Sequence, residues 1–402
     1  MIPRRTVVQG ALALTAAAAV PAQAAEPIRI GVPLELTGRF AVFGSAGKRG
    51  VQMALDAFHG QVHGRKVELL VRDVQSDAQV AVSVVNEFVS QQKIRYMVGP
   101  ISSVLVAAVI PAWRQGKPVW VVPGSTGTLT EQQVGSEPHF FHTFPYAYHY
   151  QASMSAALRH YLGTGRKAAI IYADDAYGTG SLSFARKYFS QAGFQITQEL
   201  LLRSGANDYS PILGQLRGNP PDVLINLVQT TDLANLAKQI SISKLPVPYL
   251  TDGIDVLFDK WQKAVGEARQ GWIGVTGYAA GIERPASKRR PDIFPSASAW
   301  AKAYHARYHV EAGYLDLIAY CSMALLLLAL EEAGDNEGAV VKALERINIR
   351  TPLGQARFIA TPSGTLHQAF QDLMAVQIQG NRNVVVFPPD VANGRLIPRK
   401  VG

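Results

Sequence analysis

A single cysteine, Cys321, stands in the 402 residues of the chain. One thiol excludes an intrachain disulfide, so stability has to come from burial of apolar surface. Cys321 sits among Ala, Met and Leu, which marks a core thiol rather than a nucleophile beside a base. There is no P-loop, no H-E-x-x-H and no G-x-S-x-G elbow. Gly178 and Gly180 lack the third glycine of a dinucleotide turn. His139 and His142 have a metal-like spacing, but in an extended segment residues three apart point to opposite faces. The basic stripe of a nucleic-acid-binding protein is missing as well. Lysines and arginines are scattered, apart from Lys288-Arg289-Arg290 in the Pro-rich stretch from Pro285 to Pro295, which reads as a solvated loop rather than a docking patch. The later apolar run Leu317–Leu330 ends at charged Asp316 and Glu331-Glu332. At about 1.5 Å per residue it is too short to cross a bilayer and is expected to be a buried helix.

What the chain does have starts at its N-terminus. Arg4 and Arg5 precede an apolar stretch from Val7 to Val20, then Pro21-Ala22-Gln23-Ala24, the layout of a cleaved export signal. The paired arginines with Thr6-Val7-Val8 point to twin-arginine export, and an ordinary Sec signal is the alternative. Residues 1–24 are therefore set aside, with the mature chain expected from Ala25. Without Arg4 and Arg5 the formal charge falls from +9 to +7. The remaining length fits two domains.

From Pro27 to about Leu250 strand and helix patterns alternate. Apolar runs at Ile28–Leu34, Val67–Val71, Tyr96–Val98, Val119–Val122, Ala168–Tyr172, Val223–Val228 and Val247–Leu250 read as strands, several covered on both faces. Between them, stripes such as Val51/Ala54/Leu55/Phe58 and Leu233/Leu236/Ala237/Ile240 follow helical spacing. Repeated units of this kind predict an α/β fold with parallel sheets. The rhythm breaks at the aromatic segment His139–Pro145 and restarts at Ala168. Two late helices, Ser296–Ala312 and Leu315–Ala333, follow with no fresh strand–helix series, so the chain is expected to return to its first lobe.

Ligands of open α/β sheets bind beyond the carboxyl ends of strands, and four such junctions are rich in small or polar residues. Gly99-Pro100-Ile101-Ser102-Ser103 opens a helix whose free amides suit a carboxylate, although its serines could simply cap. Pro123-Gly124-Ser125-Thr126-Gly127 combines close backbone approach with a hydroxyl, or forms an ordinary turn. Asp174-Asp175-Ala176-Tyr177-Gly178 fits a capped helix start. In Tyr249-Leu250-Thr251-Asp252-Gly253 the acid could pair with an ammonium or serve a turn.

Together these segments resemble the branched-chain amino-acid binding proteins, the type I periplasmic solute receptors of ABC importers. The opening Ile30-Gly31-Val32-Pro33-Leu34-Glu35-Leu36-Thr37-Gly38 with Gly44 and Gly50, then Gly64–Leu69, Arg72-Asp73, Gly99-Pro100 with Ser103, Pro123–Thr126, Asp174–Gly178 and Pro352-Leu353-Gly354, carry the resemblance over nearly the whole mature chain. It implies two Rossmann-like lobes with parallel central sheets joined by three hinge crossings, near residues 145, 277 and 355. The lobes would be 25–145 with 278–355, and 146–277 with 356–402. It also implies a non-enzymatic periplasmic receptor without cofactor or metal, a monomer that closes on a small amino-acid-like or carboxylate solute and docks on a membrane permease. By that resemblance Ser103 would hold a carboxylate with help from Thr126 and Gly124, Ser125 being adjacent, while Tyr177 and Asp252 would meet the ligand from the other lobe, Asp252 taking the ammonium. Phe43 stands where the family often has tyrosine, and Gln229 where it is often aromatic or small. Both change the pocket's polarity, so an amide, urea or aromatic acid is an alternative ligand. A ligand-sensing lobe of a regulatory system is an alternative role.

Overall fold

The computed structural model describes residues 26–400; the export signal read at residues 1–24 lies outside them. Six strands form the first sheet: β1 (Ile28–Leu34), β2 (Gln61–Val62), β3 (Arg65–Asp73), β4 (Tyr96–Val98), β5 (Val119–Val122) and β6 (Phe140–His142), in the order β2-β3-β1-β4-β5-β6. All neighbours run parallel except β2, which forms a hairpin with β3. The register pairs Val98 with Val121 and Val122 with His142. These strands therefore end at one edge, and the loops after them emerge side by side.

The second sheet is built from β7 (Lys167–Ala173), β8 (Gln195–Leu202), β9 (Val223–Leu227), β10 (Tyr249–Thr251) and β11 (Trp272–Thr276). After the two-stranded hairpin β12 (Asn348–Thr351) and β13 (Gly354–Arg357), it gains β14 (Met374–Gln379) and β15 (Arg382–Phe387), in the order β15-β14-β11-β10-β9-β7-β8. Strands β7 to β11 are parallel. β14 and β15 are antiparallel, so this sheet is mixed rather than purely parallel, because a short hairpin can join only antiparallel strands. The chain passes between the sheets three times: after β6, after β11 and before β14.

Helices cover both sheets, and their starts follow local chemistry. Asp77 accepts the amide protons of Gln79 and Val80 at the start of Ala78–Asn86, and Asp175 does the same for Tyr177 and Gly178 at the start of Ala176–Gln191. Both are N-caps. The helix Tyr314–Ala333 has the length and apolarity to cross a membrane, yet 94% of its most apolar window is buried inside the protein. It packs on the helix Ala41–Ala57 so closely that a β-carbon on Gly50 would lie 2.3 Å from the carbonyl oxygen of Asp316. Cys321 is fully buried in this helix, and burial pushes its thiol up to about 12.

The basic run is tied down. Arg289 pairs with Glu332, and Arg290 pairs with Glu331 and Asp292. The loop thus carries its positive charge against the acidic end of the buried helix. Residues 358–370 stay with the first sheet: the amide of His142 donates to His367 and that of Ala369 donates to His142, both at 2.9 Å.

Candidate functional site

Because β4, β5 and β6 end together, the segments 99–103, 123–127 and 143–146 form one rim. Glu35, at the end of β1, is fully buried and accepts the amide protons of Ser102 (2.7 Å) and Ile101 (3.1 Å). Burial pushes its carboxyl up to about 7, against the pull of those amides. Ser102 is the N-cap residue of the helix Ser103–Trp113, but neither serine side chain caps it. Instead the Ser103 hydroxyl accepts the amide proton of Gly127 at 3.0 Å and locks this loop to the next. The Leu105 amide donates back to the Ser102 carbonyl at 3.1 Å, which leaves the amides of Ser103 and Val104 without a backbone partner, and the positive end of the helix dipole faces the rim.

The next loop is equally constrained. A β-carbon on Gly124 would lie 2.1 Å from the carbonyl oxygen of Ile101, so the glycine serves close approach between two loops. Ser125 holds a left-handed backbone, φ 69°. Its amide donates to Ile101 at 2.7 Å and its hydroxyl shares a 2.7 Å hydrogen bond with Thr130.

Across the cleft, the loops after β7, β9 and β10 converge. Phe43, Ser103, Gly124, Ser125, Thr126 and Gln229, six residues singled out from the sequence, line one cavity with Ile101, Phe144, Ile254 and Leu315. No charged side chain is in that wall. Tyr177 and Asp252 are outside it, beside Gly253; a β-carbon there would lie 2.9 Å from the Tyr177 hydroxyl. Asp252 is buried, and neither of its carboxylate oxygens has a hydrogen-bond partner of good geometry. Burial, then the neighbouring Asp255, raises its carboxyl well above the usual range. Asp255 is also buried and raised for the same first reason, while its Oδ1 accepts the amide proton of Thr230 at 2.9 Å. The hydroxyl of buried Tyr150 and Oε1 of Gln229 are unpartnered too.

The lobes touch over this cavity. Phe43 meets Phe258 edge-to-face at 5.8 Å, and the Thr128 hydroxyl donates to the Gly180 carbonyl at 2.8 Å. A sequence profile for periplasmic binding proteins matches residues 27–383. The chain belongs to that family. Periplasmic binding proteins of this branched-chain amino-acid type are the solute-binding components of transporters, not enzymes. The chain is similar to Leu/Ile/Val-binding protein homolog 1 of Brucella suis biovar 1 (strain 1330), 22% identical over 362 residues, which cover 88% of this chain and 92% of that one. Its fold matches a leucine binding protein from Thermotoga maritima MSB8 with a TM-score of 0.80 at 21% identity, covering 90% of this chain and 99% of the other. It also matches an ABC transporter solute binding protein from R. palustris in complex with benzoate, TM-score 0.76 at 17% identity, covering 93% and 97%. The type I two-lobed architecture read from the sequence is thus the observed one.

Several residues of this periplasmic binding protein's cleft escape sequence reasoning. Phe144 and Leu315 join the wall from the first passage and from the buried helix, far apart in sequence. Asp255 follows Asp252 by three residues and could have been paired with it through the Asp-Gly turn. Of the two spaced histidines, His139 is half-buried and bonds the Lys117 carbonyl, whereas His142 is fully buried. Among the described residues no cluster of His, Cys, Asp or Glu is arranged to hold a metal ion.

Proposed function

We propose that this periplasmic binding protein captures a small zwitterionic, amino-acid-like solute between its lobes and delivers it, as a monomer, to the membrane permease of an ABC importer. The carrying observation is Asp252, a buried carboxyl with no side-chain partner and only the poorly aligned backbone amides of Gly253 and Val228 beside it, to which a ligand ammonium would supply a charge-assisted hydrogen bond. On the opposing lobe, the free amides of Ser103 and Val104 at the start of the helix Ser103–Trp113, with the groups of Gly124, Ser125 and Thr126, suit a carboxylate. Tyr177 and Gln229 complete the second lobe's side, and Phe43 the first's. A solute touching both lobes binds the closed form better and shifts the population toward it. In this reading the lobes are 25–145 with 278–355 and 146–277 with 356–402, except that residues 358–370, bonded to His142 at the end of β6, belong with the first lobe, so that the last crossing starts at Phe370 rather than near 355. Export follows the twin-arginine route.

A second ligand class has an observation in its favour. Phe43 and Phe144 line the cavity with Ile254 and Leu315, and Phe258 abuts Phe43. That wall suits an aromatic carboxylate, and a structural neighbour is in complex with benzoate. The test is a thermal-shift screen of refolded mature protein against α-amino acids, amides, urea and aromatic carboxylates, since ligand binding to the folded state raises the midpoint. A selective rise with α-amino acids supports the zwitterion; a rise confined to acids lacking an amine rejects it.

A further inference from the structure

We propose that His142 is the positioning residue of the loop Gly124–Thr126, tying it to the first and third passages between the lobes. The inference rests on the reading that this loop faces the solute. His142 is the last residue of β6 and is fully buried. Its Nε2 lies 2.7 Å from the Gly124 carbonyl oxygen and 3.1 Å from that of Ser125. On the other side Nδ1 lies 2.7 Å from Oε1 of Gln368. The Gln368 amide nitrogen donates to the carbonyls of Phe144 (3.2 Å) and Phe370 (3.1 Å). That fixes which end of the amide meets the histidine, because a flipped amide would set its oxygen against two carbonyls. The imidazole also stacks on Tyr146, centroids 4.0 Å apart, immediately before the helix Ala147–Leu162.

One ring therefore touches the ligand-facing loop, residue 146 of the first passage and, through Gln368, residue 370 of the third. Both ring nitrogens face oxygen acceptors, and a neutral imidazole has a single N–H. Burial pushes His142 down to about 4 against the pull of those acceptors, so near neutral pH its proton serves the loop or the passage but not both at once. The loop needs an external hold, since Ser125 keeps a left-handed backbone that a side-chain-bearing residue adopts only when its surroundings impose it.

Hydrogen–deuterium exchange on the mature chain without added solute tests this. His142→Phe keeps a stacking ring and removes both nitrogens; His142→Gln keeps a donor. The expected result is exchange about tenfold faster in residues 123–127 and 367–370 of His142→Phe, the order expected for one lost hydrogen bond. Strand β7 should be unchanged, and His142→Gln should recover most of the protection. Wild-type exchange in both segments of His142→Phe, equal loosening of β7, or no recovery in His142→Gln would each overturn the proposal. No solute is involved, so a failure of the zwitterion reading in the thermal-shift screen leaves this result interpretable on its own.

Discussion

The carboxylate of Glu35 lies 2.7 Å from the amide nitrogen of Ser102, and through that contact the end of β1 holds the loop that opens the helix Ser103–Trp113. Both partners are buried, so the acid is in a place where its charge is costly and its acceptor role is needed.

Glu35→Gln separates the two effects. Its folded pKa is raised, from 4.5 to about 7, so its contribution to stability is full below the unfolded value and is lost as pH rises through the folded one. Relative to the variant, the wild type should lose on the order of 1–3 kcal/mol between about pH 5 and about pH 8. Denaturant unfolding at a series of pH values measures it; a constant difference would show that Glu35 stays ionised throughout.

Asp252 distinguishes the two ligand classes through the sign of the pH dependence. An ammonium ligand stabilises the ionised carboxylate, so binding releases a proton and affinity rises with pH until the free acid is fully ionised. An aromatic carboxylate favours the protonated acid, and its affinity falls over the same range. Calorimetry in buffers of different ionisation enthalpy reads the proton count. Asp252→Ala should weaken an α-amino acid by about 10- to 100-fold, the cost of one charge-assisted hydrogen bond, with a far smaller effect on a simple carboxylate.

Gly124→Ala places a methyl group where the Ile101 carbonyl already stands, at 2.1 Å. The two loops must part, at a cost of about 1–3 kcal/mol for overpacking. The expected outcome is a lowered midpoint together with at least tenfold weaker solute binding; retention of both would mean that the loops have slack.

Cys321 is a built-in reporter of unfolding. Its buried thiol, pushed up to about 12, should resist aromatic disulfide reagents in the native protein and react fully in denaturant. Rapid native labelling would contradict the packing of the helix Tyr314–Ala333.

Apolar runs are readable with their limits at Tyr96–Val98 and Val119–Val122, because strands buried on both faces leave no polar interruption, and at Ile28–Leu34 because exposed Arg29 is the single break in an otherwise buried strand. β8 is not, since it is an edge strand whose Gln195 and Glu199 mask the period. Ser103 and the Gly124–Thr126 turn stood out because small polar residues directly after an apolar strand fall at the carboxyl edge of a parallel sheet. The roles of Glu35, Asp255, His142 and Gln368 depend on partners that only the folded chain brings near, up to 226 residues away in the case of His142 and Gln368. Lys288-Arg289-Arg290 is read as a solvated loop and Lys288 and Arg289 are exposed; the ion pairs to Glu331 and Glu332 depend on a helix 41 residues or more further along the chain.

The first sheet is complete at residue 142, yet the helix that buries the apolar face of Ala41–Ala57 begins only at Tyr314. The second sheet waits for β14 and β15, residues 374–387, to cover the edge of β11. A ribosome delivering this chain from its N-terminus therefore finishes neither lobe until nearly all of it has been made. For most of synthesis the nascent chain carries an uncovered helix stripe and an open strand edge, both of which invite aggregation. Its dependence on chaperones should be concentrated in that interval and end almost at once when the last hairpin emerges.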